Sequence, residues 1–280
     1  MRWKVGDVAI TKVVEIEMAS KATWILPDLT AENLAKVAWC RPHFANADGQ
    51  VVMSIHALLI ESQGERIIVD TCVGNDKDLR GPWNKRQGTF LADIAAAGFP
   101  ADSIDTVLCT HLHVDHVGWN TKLENGKWVP TFANARYLWN RAEYEHWSKT
   151  EQSEYGAVVQ ESVLPVYEAG KVDLVTPSHA VTNEVKLEPT VGHTPGHVSV
   201  HITSRGEEAV ITGDLMHHPA QCAHPEWHSS ADSDGAQAER TRREFLARYA
   251  DRPVLVIGTH FATPTAGKIV RDGNAYRFAV

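Results

Sequence analysis

Apolar and polar positions along this chain fall into short runs with two different periods. Runs rich in Val, Ile and Leu, bounded by turn residues, predict strands at 8–16, 51–60, 66–70, 105–110, 135–139, 172–175, 185–191, 197–203, 208–212, 253–257 and 268–278. Helical spacing falls between some of them. Thr89 is placed to cap a helix in which Phe90, Leu91 and Ile94 share a face and Gly98 is the stop. A second helix is expected from about Tyr155 to Ala169, kinked or interrupted at Pro165. A third, at about 236–250, turns Phe245, Leu246 and Tyr249 to one face and its charges to the other. Strands interspersed with helices predict an α/β chain. No repeat and no low-complexity stretch interrupts it, and 280 residues suffice for one domain, 1–280, with a sizeable core.

Two stretches break the periodicity. Residues 18–50 hold Trp24, Pro27, Trp39, Pro42 and Phe44, and residues 217–235 hold His217, His218, His224, Trp227 and His228. Irregular segments of this length in a compact domain are usually functional or disordered, and their aromatic content argues against disorder. The expectation is that they cover a site, with simple packing or a subunit contact as the alternative.

The chemistry sits at the strand ends. The run Thr110-His111-Leu112-His113-Val114-Asp115-His116 follows the strand predicted at 105–110. His193 lies in Gly192-His193-Thr194-Pro195-Gly196-His197, Asp214 in Thr212-Gly213-Asp214, and His260 in Gly258-Thr259-His260. Three histidines and an aspartate within six residues are costly to bury without a metal or a charge partner. Five imidazoles and two carboxylates without a thiolate suit a pair of borderline divalent ions, Zn²⁺ first, with Mn, Co or Fe also accepted. With a local period of two, His111 and His113 point the same way and share one ion. Asp115 and His116, further along where the chain turns at Gly118, are placed for a second.

The His-x-His-x-Asp-His run at 111–116 is the hallmark of the metallo-β-lactamase superfamily, and the chain is identified as resembling it from about Val51 to Phe278. The third motif at 192–197, Gly213-Asp214-Leu215 and a closing Gly273-x-x-Tyr276-Arg277-Phe278 strand resemble the branch holding methyl parathion hydrolase, dihydrocoumarin lactonases and N-acyl homoserine lactonases. The resemblance implies a metallo-β-lactamase-like αββα four-layer sandwich, which the strand and helix pattern permits. It also implies that His111, His113 and His193 hold the first metal, that Asp115, His116 and His260 hold the second, and that Asp214 bridges them. The second histidine of the third motif, His197, is not a ligand in that pattern. Asp70, ending an apolar strand, would accept a hydrogen bond from a ligand histidine.

Departures narrow the reading. His113 stands where flavodiiron oxidoreductases of this fold carry a glutamate, which argues against redox iron chemistry. The cysteine of some lactamase second sites has no counterpart beside Gly213-Asp214. His217 stands where homoserine lactonases place a tyrosine, three residues after the bridging aspartate, so the substrate stays open.

The chemistry expected is hydrolysis of a lactone or aryl ester, with organophosphates as a side activity. Two metals ~3.5–4 Å apart share a water and make hydroxide available near neutral pH. Asp115 and Asp214 set that metal pair, and His217, with His218 as its rival, would protonate the leaving oxygen. A thioesterase, β-lactamase or phosphodiesterase of the same fold is the alternative. A non-catalytic metal-binding protein would be expected to have lost ligands, and none is lost.

Composition changes little. A net charge of −8 with dispersed lysines and arginines offers no footprint for nucleic acid. Cys40, Cys72, Cys109 and Cys222 show no paired spacing and are expected to be reduced thiols. No signal-peptide pattern and no membrane-length apolar run is visible, so a cytoplasmic location, a small-molecule substrate and no membrane partner are expected. Relatives in this branch are often dimeric, so the resemblance admits a homodimer.

Overall fold

A computed structural model describes residues 1–149 and 156–280. In chain order the strands begin with β1 (Arg2–Val5), β2 (Val8–Ser20), β3 (Val51–Ser62), β4 (Glu65–Val69) and β5 (Thr106–Leu108). A separate hairpin follows, β6 (Thr121–Glu124) and β7 (Lys127–Pro130), before β8 (Arg136–Asn140) and β9 (Val172–Val175). The second half supplies β10 (Val185–Pro189), β11 (Val198–Ser204), β12 (Glu207–Ile211), β13 (Val254–Ile257), β14 (Ala266–Asp272) and β15 (Ala275–Ala279). Among the described residues, β1-β2-β3-β4-β5-β8-β9 form one sheet and β10 through β15 form another, each in the order given. Pairing is antiparallel from β1 to β4, then parallel through β5, β8 and β9. In the second sheet only β12 and β13 run parallel.

Three apolar clusters define the layers. Ile67, Val69, Leu108 and Leu138 of the first sheet pack with Val200, Ile202, Ala209 and Ile257 of the second. Their neighbours one residue along point the other way, as a period of two demands. Ile68, Val107, Tyr137 and Trp139 join Phe90 and Ile94 of the helix Phe90–Ala96. Val210, Val254 and Val256 join Phe245, Leu246 and Tyr249 of the helix Gly235–Tyr249. The result is helix, sheet, sheet, helix, the expected αββα sandwich. Strands buried on both faces read as nearly unbroken apolar runs, which is why so many were visible in the sequence.

The differences have local causes. The single strand expected at 268–278 is a hairpin, β14 and β15, turning at Gly273 with φ +61°. The hairpin β6–β7 was not anticipated, although Asn125-Gly126, both at positive φ, is the usual two-residue hairpin signal. β5 stops at Leu108 rather than 110, so the chain has left the strand before the first histidine of the run. Tyr155, where the second helix was expected to start, lies outside the described residues. Within them, a π-helical stretch at Val159–Val163 leads into the helix Leu164–Glu168. Pro165 does not break this helix. Lacking an N–H, it leaves the Glu161 carbonyl without its usual helical partner, and Lys77 Nζ and the Thr121 hydroxyl donate to that carbonyl instead.

A bulge in β2 between Val14 and Ile16 turns the Glu15 side chain inward. It accepts from the Val73 and Gly74 amides and from Trp119 Nε1 at 2.7 Å, pinning the segment after β4 beneath the site. Val114–Val117, a single helical turn, lies next to it, and Gly118 passes so close to Val73 that a Cβ would meet its carbonyl oxygen at 1.8 Å. No helix among the described residues is long and apolar enough to cross a membrane.

Candidate metal centre

The site lies where strand ends of the two sheets meet. Two main-chain contacts tie the sheets there: Val198 N–H donates to the Thr110 carbonyl at 3.0 Å, and Ser54 N–H to the His260 carbonyl at 3.0 Å. His111 and His113 leave the end of β5, while Asp115 and His116 sit on the helical turn Val114–Val117. His193 follows β10, Asp214 follows β12 and His260 follows β13. His111 and His113, expected to point the same way through a local period of two, do converge, but from an irregular segment, their ring centroids 4.6 Å apart.

All seven residues come together. Asp214 is central: its Oδ2 lies 3.3 Å from His116 Nε2, 3.5 Å from His193 Nε2 and 3.7 Å from His111 Nε2, and its Oδ1 lies 3.2 Å from His260 Nε2. Asp115 reaches His260 Nε2 at 3.5 Å and His116 Nε2 at 3.7 Å. Three groupings have ligand atoms close enough to share an ion: His111, His113 and His193; His111, His116 and Asp214; and Asp115, His116 and His260. A fourth joins His193 and Asp214 to His217.

The donor set fits a cation. His111 Nε2, His116 Nε2 and Asp214 Oδ1 are buried without a hydrogen-bond partner. His113 Nδ1 and His193 Nε2 face each other at 2.9 Å. Buried polar atoms left unpaired in this way are expensive, and their convergence on one point is what a bound ion relieves.

The opposite nitrogens are anchored. His116 Nδ1 lies 2.9 Å from Asp70 Oδ2, His111 Nδ1 3.1 Å from the Thr110 hydroxyl, His193 Nδ1 2.8 Å from Asp232 Oδ1, and His260 Nδ1 3.2 Å from the Ser54 carbonyl. Such contacts set the tautomer and aim Nε2 at the centre. Asp70 takes the part expected of it. Its carboxylate also accepts from the Thr110 amide and hydroxyl at 2.8 and 2.9 Å, and its backbone is left-handed, φ +59°.

Burial alone would push the Asp214 carboxyl up, but the surrounding imidazoles of His116, His260, His217 and His111 hold it well below the usual range. Burial opposes charge on His116, yet Asp214, Asp70 and Asp115 outweigh it and hold that imidazole well above the ordinary value. His260 is raised in the same way, burial being outweighed chiefly by Asp214. His111 and His113 go the other way, pushed well down by burial and by neighbouring imidazoles. A bound ion would compete with protons for the nitrogens of His116 and His260.

His197 is no part of this ring. Its Nε2 accepts from the Asp214 amide at 2.8 Å, and its Nδ1 meets Thr190. His217 and His218 point apart. His218 donates from Nε2 to the Phe44 carbonyl at 2.8 Å, away from the centre, whereas His217 lines the pocket with Nε2 3.2 Å from Asp214 Oδ2. Of the two irregular stretches, Met18, Trp24, Ile25, His217 and Ala231 line the pocket, and Leu26, Leu29, Leu34, Phe44 and Trp227 among others pack against the second sheet and the helix Gly235–Tyr249. Covering the site is a small part of their job.

Two residues were missed by the sequence reading. Asp232 is one. The other is Glu143, fully buried on the helix Arg141–Trp147, where it accepts from the Leu112 amide (3.1 Å), the Gly196 amide (2.9 Å) and Trp147 Nε1 (2.6 Å). It straps the histidine run to the third motif.

Residues 51–260 match the metallo-beta-lactamase superfamily, three quarters of the chain. The chain belongs to that superfamily. An N-acyl homoserine lactonase from a Bacillus species is 26% identical over 179 residues, 59% of this chain and 65% of that protein. A Bacillus thuringiensis N-acyl homoserine lactonase is 24% identical over 57% of this chain and 62% of its own length. The matched part thus spans slightly less than two thirds of these curated relatives. Among solved structures, a hydrolase of the beta-lactamase superfamily named AbOPH superposes with TM-score 0.82 at 23% identity, covering 99% of this chain and 96% of that one. AidC, described as a dizinc quorum-quenching lactonase, superposes with TM-score 0.80 at 20% identity, covering 99% and 96%. At these identities the structural likeness speaks for the metallo-beta-lactamase fold.

Proposed function

We propose that this chain is a binuclear metal-dependent hydrolase of lactones or aryl esters, with zinc as the first choice of metal. One observation carries the reading: seven side chains from four strand ends converge with buried, unpartnered nitrogen and oxygen atoms facing a common centre. His111, His113 and His193 would hold one ion, Asp115, His116 and His260 the other, with Asp214 between them. Bound there, two divalent ions supply a nucleophilic hydroxide near neutral pH and a Lewis acid for the carbonyl oxygen.

The protein's own groups do the rest. Asp214 is held in place by His197 behind it and is an anion already, so it needs no proton loss to act as a bridge. Met18, Trp24, Ile25, Met53 and Ile55 form an apolar wall that excludes water and receives an acyl or aryl group. His217 would donate a hydrogen bond to the carbonyl or leaving oxygen. Its Nδ1 has no partner, unlike the Nδ1 of His111, His116, His193 and His260, which speaks for a donor to substrate rather than a ligand. Burial holds its imidazole below the ordinary value, so it enters neutral and donates without prior charging. Lactones are favoured over other esters by the similarity to proteins named as homoserine lactonases.

A substrate panel on zinc-loaded protein tests this: a homoserine lactone, a p-nitrophenyl ester, methyl parathion, a thioester and a β-lactam. Turnover of the lactone or ester, with about two equivalents of metal by elemental analysis and severe loss in Asp214→Asn, is expected. Saturation at one equivalent would remove the binuclear reading. Preference for the thioester or β-lactam would move the chain to another activity of the same fold.

A further inference from the structure

His193 is held from behind by a charge with no sequence mark. Asp232 lies 39 residues further along, in the irregular segment before the helix Gly235–Tyr249, with Oδ1 2.8 Å from His193 Nδ1. Both side chains are only 1% exposed. A carboxylate so deeply buried is costly unless compensated, and compensation is present on each side. Oδ2 accepts from the Ser229 amide at 2.9 Å, and the Arg242 guanidinium lies 3.8 Å away.

Arg242 is itself fully buried and cannot swing elsewhere. Its Nε donates to the Leu215 carbonyl at 2.9 Å and its Nη1 to the carbonyls of Pro225 and Trp227. Its Nη2, facing Asp232, has no hydrogen-bond partner of its own. The guanidinium is fixed by main-chain oxygens, and its unsatisfied end supplies charge to the aspartate.

Compensated by the Ser229 amide and the Arg242 guanidinium, the Asp232 carboxylate acts as an acceptor, so the 2.8 Å contact puts a proton on His193 Nδ1. That leaves the Nε2 lone pair facing His113 Nδ1 and Asp214. The turn around Asp232 fixes more than the ring. Ser233 N–H donates to the His193 carbonyl at 2.8 Å and Asp234 N–H to the Gly192 carbonyl at 3.0 Å. On its other side, Ser230 donates from its amide to the Ile25 carbonyl (2.9 Å) and from its hydroxyl to the Trp24 carbonyl (2.8 Å). Trp24 and Ile25 are pocket wall.

We propose that Asp232 is a positioning residue for the first metal: it locks His193 in the Nδ1–H tautomer, and its turn joins that ligand to the pocket wall at Trp24-Ile25. The proposal rests on the reading of His193 as a metal ligand. Asp232→Asn keeps the size of the side chain and an acceptor for the Ser229 amide but removes the charge. It should weaken the tighter part of zinc binding roughly 10–100-fold in competition with a chromogenic chelator, as loss of such outer contacts typically does. The far-UV circular dichroism of the metal-free protein should stay unchanged.

A second measurement does not depend on the variant folding. In metal-free wild-type protein labelled with ¹⁵N-histidine, the His193 resonances, assigned by their loss in His193→Gln, should report Nδ1–H. Nε2–H there, or unchanged zinc affinity in a folded Asp232→Asn, overturns the proposal. Wild-type protein that shows the Nδ1–H tautomer yet binds no zinc overturns instead the metal-site reading on which the proposal stands.

Discussion

The main-chain N–H of Asp214 donates to Nε2 of His197 at 2.8 Å, so a histidine outside the converging cluster anchors the residue that carries its central carboxylate. The approach is tight. Gly213 between them has φ +55°, and a Cβ there would lie 2.5 Å from that same Nε2. Nδ1 of His197 is engaged by Thr190, whose carbonyl accepts at 3.0 Å, leaving Nε2 as the acceptor. Burial pushes this imidazole down to about 3, so it stays neutral and keeps its lone pair for the Asp214 amide.

His197→Ala removes that acceptor and leaves a buried N–H unpaired. The expected cost is about 1–3 kcal/mol of stability in the metal-free protein, together with lower metal retention because the Asp214 carboxylate is free to turn. Urea denaturation and elemental analysis of the same preparation measure both effects. Wild-type values in both would show that the His197 contact positions nothing.

His218 governs a pH response distant in purpose from the metal centre. Burial pushes its imidazole from 6.5 down to about 4, outweighing the hydrogen bond from Nε2–H to the Phe44 carbonyl, which works the other way. Above about pH 6.5 the ring is neutral both folded and unfolded, and its contribution to stability is fully present. As pH falls through the window from 6.5 to 4, the unfolded chain takes up a proton that the folded chain refuses, and stability drops. The full contribution is on the order of 3 kcal/mol for a shift of this size. Denaturation midpoints of metal-free protein at about pH 7, 6 and 5 should decline, and His218→Gln should flatten part of that decline. A midpoint independent of pH across this window would contradict the assignment.

Much of this architecture was open to reading because two physical signals are local. A strand buried on both faces, such as Thr106–Leu108 or Val254–Ile257, is almost free of polar residues, and a cluster of histidines just beyond Leu108 has few other uses. The hidden part is tertiary. Glu143 sits in Arg-Ala-Glu-Tyr-Glu-His-Trp, which reads as an ordinary charged helix face, and only the fold brings the Leu112 and Gly196 amides to it. Asp232 stands among serines and aspartates that look like a solvated loop, and its partner Arg242 lies on a helix with mostly exposed charges. Compensation of a buried charge by a distant one leaves no spacing in the sequence. The choice between His217 and His218 was likewise beyond a one-residue argument, since it turned on the carbonyl of Phe44, 174 positions away.

His217 is the group whose role the geometry leaves most exposed to experiment. Its ring stacks on His260 at 5.5 Å between centroids, its Nε2 is 3.2 Å from Asp214 Oδ2, and it can join His193 and Asp214 around an ion. Two roles compete: donor to the substrate, or an additional ligand. They separate by leaving group and by metal content. As a donor, His217 stabilises charge that develops on oxygen, worth on the order of 10²-fold when one such hydrogen bond is removed. His217→Ala should then lower kcat about 10²-fold for an alkyl ester, whose leaving oxygen needs a proton. A p-nitrophenyl ester should lose much less, because that oxygen departs readily as an anion, and the metal content should stay at the wild-type level. Equal losses on both esters would remove the proton-donating role. Loss of metal would make His217 a ligand and require the unpaired Nδ1 to be read as a site awaiting a partner.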